Sequence, residues 1–213
     1  MNVLIIAPHP DDEVLGMGGT IKKLSKKNNI ILCVVSEGVT AQYSGKNAVE
    51  ERKKFCQECS SILGISKIFF LDFPDMKLNN FHLDINKKLE EIIKKIKPSI
   101  VYTSSNNDLN LDHSAVFDST LVTCRPKSGV KKILCYELPG QTKTAFEPNV
   151  FENIEKEFSF KIRGFKKYKS EIEKFPNPRS ILSIENLAIY RGIQSGMKKA
   201  EAFKSIRDIK DNL

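Results

Sequence analysis

Hydrophobic positions follow two alternating rhythms over the first two thirds of the chain. Short unbroken aliphatic runs, such as Val3-Leu4-Ile5-Ile6, read as strands buried on both faces. Between them lie longer segments with a 3.6-residue period. The clearest carries Ile85, Leu89, Ile92, Ile93 and Ile96 with lysines between, and Pro98 stops it. The pattern predicts strands near 2–7, 30–36, 67–71, 99–104 and 132–137, and helices near 14–27, 46–63, 84–97 and 113–124. Such alternation implies right-handed βαβ units. The expected class is α/β, a Rossmann-like, mainly parallel sheet with helices on both faces. Gly18 and Gly19 would let the first helix lie close to that sheet.

After Pro139-Gly140 the rhythm changes. Residues 140–150 read as a loop and 157–162 as an edge strand. Lys166 to Lys174 and Ile181 to Ser195 read as helices, with Pro176 and Pro178 between them and Ser180 as an N-cap. This is a C-terminal helical and edge-strand elaboration. No repeat, low-complexity stretch or linker divides the chain, so residues 1–213 read as a single domain.

The net charge of +8 comes mainly from lysines spaced between apolar helix positions, the pattern of a solvated face. No arginine-rich tract or aromatic-interleaved basic strand accompanies it, which argues against a nucleic-acid partner. Attraction of an anionic small-molecule substrate fits the charge. No run approaches the roughly 20 apolar residues of a membrane span, and no signal peptide is evident, so membrane contact is at most peripheral. The five cysteines sit in apolar surroundings. An odd number placed this way reads as reduced thiols in a cytoplasmic protein. Cys56 and Cys59 share a helical stripe with Val49 and Leu63 and read as core. Self-association is left open.

The first strand leads directly into Ala7-Pro8-His9-Pro10-Asp11-Asp12-Glu13. Three neighbouring acids repel one another, and a divalent cation would relieve this. Helix capping accounts for the acids but not for His9. His9 and Asp12 are spaced to ligate one metal, leaving Asp11 beside it as a base. Open parallel sheets bind ligands at strand carboxyl ends, where strand order reverses. Zinc takes a third protein ligand, and only His82 and His113 remain as histidines. His113 follows the strand near 99–104 through residues 105–112, a loop that a neighbouring strand would deliver to the same edge. His82, beside Asn79 and Asn80, reads as a loop residue.

The apolar strand, His9-Pro10-Asp11-Asp12-Glu13, the glycines Gly16, Gly18 and Gly19, and the later pair Asp112-His113 at a helix start together resemble the PIG-L/LmbE-like family of zinc-dependent N-acetyl-sugar deacetylases. The resemblance spans nearly all of the chain. It implies His9, Asp12 and His113 as zinc ligands, with Fe2+ as another divalent candidate, and Asp11 as general base. Asp112 is placed to orient a ligand imidazole or a neighbouring backbone group. The implied reaction removes the acetyl group of an acetamido sugar, whether free, nucleotide-linked or lipid-linked.

One departure stands out. Many relatives carry a histidine three residues before the ligand histidine, and here that residue is Asn110. A carboxamide can donate a hydrogen bond to an oxyanion but cannot transfer a proton. Asn110 is then a substrate-binding candidate, and Asp11 would move the proton both ways. Asn177 likewise stands where relatives often have His. Arg52, on the stripe of Val49, Cys56 and Leu63, either snorkels to solvent or reaches the pocket to bind sugar hydroxyls or phosphate. It also matches a frequent family arginine. Asp75 and Arg125 are weaker candidates. The tail Ala200 to Phe203 reads as structural, with covering the pocket as an additional role. Two alternatives use much the same residues: an amidase acting on another sugar or small-metabolite amide, and a nucleotide- or nucleic-acid-binding α/β module. Gly16-x-Gly18-Gly19 is a poor dinucleotide fingerprint, and it follows an acidic cluster that repels phosphate.

Overall fold

The computed structural model describes residues 1–39 and 47–210. The aliphatic runs form strands β1 (Asn2–Ala7), β2 (Asn29–Ser36), β3 (Lys67–Phe73), β4 (Ile100–Thr103) and β5 (Lys132–Tyr136). The periodic segments between them form helices α1 (Asp12–Leu24), α2 (Ala48–Leu63), α3 (His82–Ile96) and α4 (Leu111–Thr123). The expected start of the second helix at residue 46 lies outside the described residues. Beyond β5 come β6 (Val150–Asn153), α5 (Phe158–Phe165), α6 (Ile181–Ser195) and β7 (Ala200–Asp208).

The sheet runs in the order β3-β2-β1-β4-β5-β7-β6. The first five strands pair parallel; β7 lies antiparallel to β5, and β6 antiparallel to β7. Successive side chains of a strand point to opposite faces. Val3, Ile5 and Ala7 therefore join one core with Val14, Cys56 and Phe165, while Leu4 and Ile6 join the other with Ile85, Leu89 and Val116. Unbroken apolar strands thus report burial on both faces. The strand order reverses between β1 and β4, the strands whose carboxyl ends lead to His9 and to the loop before His113.

The C-terminal third departs from expectation. Residues 157–162 are not a strand: Glu157 is the N-cap of α5 and the rest lie in that helix, where Phe158, Lys161 and Phe165 are buried at helical spacing. The edge strand is β6, which begins at the last residue of the stretch read as loop and runs on through Asn153. Its side chains are only half-buried, so its apolar signal is weak. Residues 166–174 hold turns and a short 3-10 helix (Lys169–Glu171) instead of an α-helix. The helix from Ile181 to Ser195 is present, and Ser180 caps it by accepting the Ser183 N–H at 3.0 Å. The Ala200–Phe203 tail is structural and lies within the sheet as part of β7.

Helix α1 is broken at Met17 (φ −149°, ψ 25°). Side chains from the C-terminal third satisfy the interrupted backbone. Lys161 Nζ donates to Leu15 O at 2.8 Å, and Glu201 accepts from Gly19 N (3.0 Å) and Thr20 N (2.7 Å). The two side chains pair with each other at 2.7 Å, both buried. Gly16 lets this helix approach the sheet: a Cβ there would sit 2.4 Å from Tyr136 Cδ2. Gly19 abuts Ile154, just past the end of β6, at 2.7 Å, whereas Gly18 does not face the sheet as expected but meets Lys161 of α5 at 3.0 Å. Removing one partner of a buried pair leaves a charge uncompensated. Lys161→Ala is therefore expected to lower unfolding free energy by about 3–5 kcal/mol in urea titration. A loss under about 1 kcal/mol would mean that the two N–H donors alone hold Glu201.

Candidate active site and metal centre

The chain leaves β1 at Ala7 and turns through Pro8 to Asp11 before α1 begins. Ser36 N–H holds the Pro8 carbonyl at 2.8 Å, and His9 N–H donates to Asp12 Oδ2 at 2.9 Å. Asp11 adopts φ 119°, ψ −25°, a region that non-glycine residues rarely occupy. From β4 the chain passes to α4, capped by Asn110, whose side-chain oxygen accepts the Asp112 N–H at 2.9 Å. His113 lies in the first turn of that helix.

The two loops meet. His9 Nδ1 lies 3.2 Å from Asp12 Oδ2 and 3.2 Å from His113 Nε2, and His113 Nε2 lies 3.3 Å from Asp12 Oδ2. A near-equilateral triangle of that edge is one face of a tetrahedron whose centre is about 2.0 Å from each corner, the zinc–ligand distance. The outer nitrogens fit the same reading. His113 Nδ1 faces Asp108 Oδ2 at 2.9 Å, and His9 Nε2 faces Asp75 Oδ1 at 2.9 Å and Asp112 Oδ2 at 3.2 Å. Carboxylates there favour the N–H on the outer nitrogens. The inner nitrogens then point lone pairs, together with that of Asp12, at one spot. These three residues satisfy the donor requirement of a divalent metal, and all three are buried.

The electrostatics agree. Burial disfavours a charged imidazole, yet Asp12 and Asp108 outweigh it and raise the His113 pKa to about 9. His9 is likewise raised, because Asp112, Asp12 and Asp75 overcome its burial. A pocket so rich in carboxylates calls for positive charge, which protons or a metal ion can supply.

Asp11 stands beside the triangle and outside it. Its carboxylate is fully buried and accepts no hydrogen bond from the described residues. Burial pushes its pKa up to about 6, against the pull of Arg179 and Arg52. Arg179 Nη2 lies 3.5 Å and Arg52 Nη2 3.8 Å from Asp11 Oδ2. Arg52 does not snorkel: it is 5% exposed, donates to Pro10 O at 2.7 Å and pairs with Glu171. Glu13 accepts the Asp11 N–H at 3.0 Å and the Tyr168 hydroxyl at 2.7 Å. Burial raises Glu13 to about 7, with the Tyr168 hydroxyl opposing.

A cleft of about 410 Å³ opens over this group, lined in part by Asn110, His113, Gln141, Glu171, Asn177 and Arg179. A larger groove of about 1130 Å³ lies where α3 and α4 end, lined by Lys97, Pro98 and Arg125 among others. It is at the opposite end of the strands and holds none of the grouped histidines and carboxylates, so the smaller cleft is the chemical one. Arg125 therefore stands away from the site. His82 opens α3, its Nδ1 3.3 Å from Ser119 Oγ, and takes no part in the donor cluster. Asp112 faces His9 Nε2, and so does Asp75, a weak candidate by sequence. Sequence reasoning missed the roles of Asp108, Glu171 and Tyr168 and the place of Arg179 beside Asp11. The glycines after the motif serve packing, not a phosphate cradle.

No helix among the described residues is long and apolar enough to cross a membrane. The uncharacterized deacetylase YaiS of Escherichia coli (strain K12) is 35% identical over 174 residues, covering 79% of this chain and 90% of the relative. A probable N-acetyl-alpha-D-glucosaminyl L-malate deacetylase 2 of Bacillus cereus is 27% identical over 81% of this chain and 84% of its own length. In fold, the N,N'-diacetylchitobiose deacetylase of Pyrococcus horikoshii superposes with a TM-score of 0.83 at 22% identity, over 97% of this chain and 84% of that one. Residues 4–124, from the first strand past the His113 helix, match the family described as PIG-L, GlcNAc-PI de-N-acetylase. By that match and by its relatives, the chain belongs to the PIG-L deacetylase family.

Proposed function

We propose that this chain is a zinc-dependent hydrolase that removes the acetyl group of an N-acetylated amino sugar, giving acetate and a free amine. The observation that carries this is the triangle of His9, Asp12 and His113 donor atoms with the unbonded Asp11 carboxylate beside it. These three residues would hold the ion, and another divalent metal such as Fe2+ suits the same donors. When bound, the ion supplies Lewis acidity, which eases ionisation of water and polarises a carbonyl.

The chain's own residues do the rest. Asp11 accepts the proton of the water that attacks the acetamide carbonyl, then gives it to the departing nitrogen. The carbon–nitrogen bond breaks, and the water oxygen ends in acetate. Asp75, Asp108 and Asp112 hold the two imidazoles in place. Asn110 presents its amide nitrogen to the substrate, because its oxygen is already used as the helix cap. Arg52 meets the substrate only where it abuts Asp11. The buried free thiols suit a reducing cytoplasm.

The two duties of Asn110 are separable. Asn110→Ala is expected to lower stability by about 0.5–2 kcal/mol through the lost cap. Asn110→Ser keeps a capping oxygen, so it should hold stability while losing about 1–3 kcal/mol of transition-state stabilisation. Equal kcat/KM for Asn110→Ser and the unsubstituted protein would restrict Asn110 to capping.

The test of function is acetate release by the metal-loaded protein across free, nucleotide-linked and lipid-linked acetamido sugars. Release from one class supports the proposal. Full metal occupancy with no release from any would overturn it.

A further inference from the structure

We propose that Arg179 is a positioning residue for Asp11, assisted by Tyr168, so that the segment between α5 and α6 completes the site from outside the family-matched residues 4–124. This rests on Asp11 being the base, as proposed above.

The segment grips Asp11 in two independent ways. The first acts on the carboxylate. Arg179 Nη2 lies 3.5 Å from Asp11 Oδ2, and Arg179 Nη1 pairs with one oxygen of Glu171. The other oxygen of Glu171 pairs with Arg52 Nη1, and Arg52 Nη2 reaches the same Asp11 oxygen at 3.8 Å. Glu171 thus spaces two guanidiniums against one carboxylate. Because that carboxylate accepts no hydrogen bond from the described residues, these charge contacts are what direct it. Arg52 is anchored a second time on Pro10 O. Arg179, with a side chain 24% exposed, forms the cleft-side half of the clamp.

The second grip acts on the backbone. Tyr168 donates to Glu13 Oε1, and Glu13 Oε2 accepts the Asp11 N–H. Asp11 sits at φ 119°, which its own preferences do not supply. Such a conformation persists only where surrounding contacts over-determine it. A base has to stay within hydrogen-bond reach of the proton it takes, and a shift of about 1 Å can cost about 100-fold in rate.

The experiment uses the full chain, metal-loaded, with N-acetylglucosamine and N,N'-diacetylchitobiose as probes. Arg179→Gln should lower kcat by about 10–100-fold, while KM stays within about threefold and metal content is unchanged. Arg179→Lys, which keeps the charge but not the fork, should recover part of the loss. Tyr168→Phe should lower kcat with the same KM pattern. In the Asp11→Asn background, Arg179→Gln should lower kcat no further. An undiminished kcat in Arg179→Gln, or the same fold-loss in both backgrounds, overturns the inference. A second readout needs no substrate. The unfolding midpoint should fall more on Arg179→Gln in the unsubstituted protein than in the Asp11→Asn background, and equal falls again overturn it. If the unsubstituted protein releases acetate from neither probe, the midpoint comparison alone decides the clamp. Full kcat in Asp11→Asn would instead overturn the base assignment on which the clamp rests.

Discussion

Asp11→Asn keeps its metal and loses its turnover: kcat/KM is expected to fall by about 100- to 10,000-fold, the usual share of a general base. The substitution is nearly isosteric, so the buried space stays filled. It removes a negative charge from a residue whose oxygens lie outside the donor triangle, so metal content should remain near that of the unsubstituted protein. Arg52 and Arg179 keep Glu171 as a partner. The measurement is steady-state acetate release beside elemental analysis of the same preparation. Near-normal turnover with metal bound would remove Asp11 from the chemistry. Joint loss of metal and turnover would make Asp11 a ligand.

His113→Ala is expected to have the opposite signature. One corner of the triangle disappears, and two donors cannot hold a divalent ion as three do. Metal in the purified protein should drop from about one ion per chain to a trace, with acetate release lost in parallel. Chelation should abolish activity of the unsubstituted protein, and added zinc should restore it; His113→Ala should not recover at stoichiometric zinc. The outer carboxylate gives a graded check. Asp108→Ala frees His113 to rotate, so affinity for the ion should weaken by about 10- to 100-fold. Full metal retention in His113→Ala would show that the ion sits elsewhere, and the neighbouring group of His9, Asp75 and Asp112 would be the place to look.

Residues whose spacing follows from one local rule were legible in the sequence. Unbroken aliphatic strands and a 3.6-residue period give the first five strands and four helices, because both-face burial leaves a strong local imprint. His9, Asp12 and His113 could be brought together on paper because parallel strands deliver their carboxyl-end loops to one edge. The rest depended on tertiary partners. Residues 150–153 pair with β7 at an edge, where half-buried side chains leave no alternating signal. Phe158 to Phe165 is too short a helix to separate from an apolar strand by periodicity. Glu171 ends a short 3-10 helix and Arg179 lies in a turn, and only the folded chain brings both to Asp11. Asp108 is five residues from His113, yet its role follows from the loop's path and not from its position in the sequence.

The break in α1 makes the N-terminal motif depend on residues far along the chain. All three donor residues have been synthesised by residue 113. The helix that carries Asp12 is nevertheless finished by Lys161 and Glu201, at sequence separations of 146 and 182 residues. Contacts that distant form late, after a large loop has closed. A chain that has emerged only through α4 would hold all three donor residues, while Leu15 O and the amides of Gly19 and Thr20 still lacked their side-chain partners. Closure of the helix that carries Asp12 is thereby coupled to the docking of α5 and β7, which supply its missing partners.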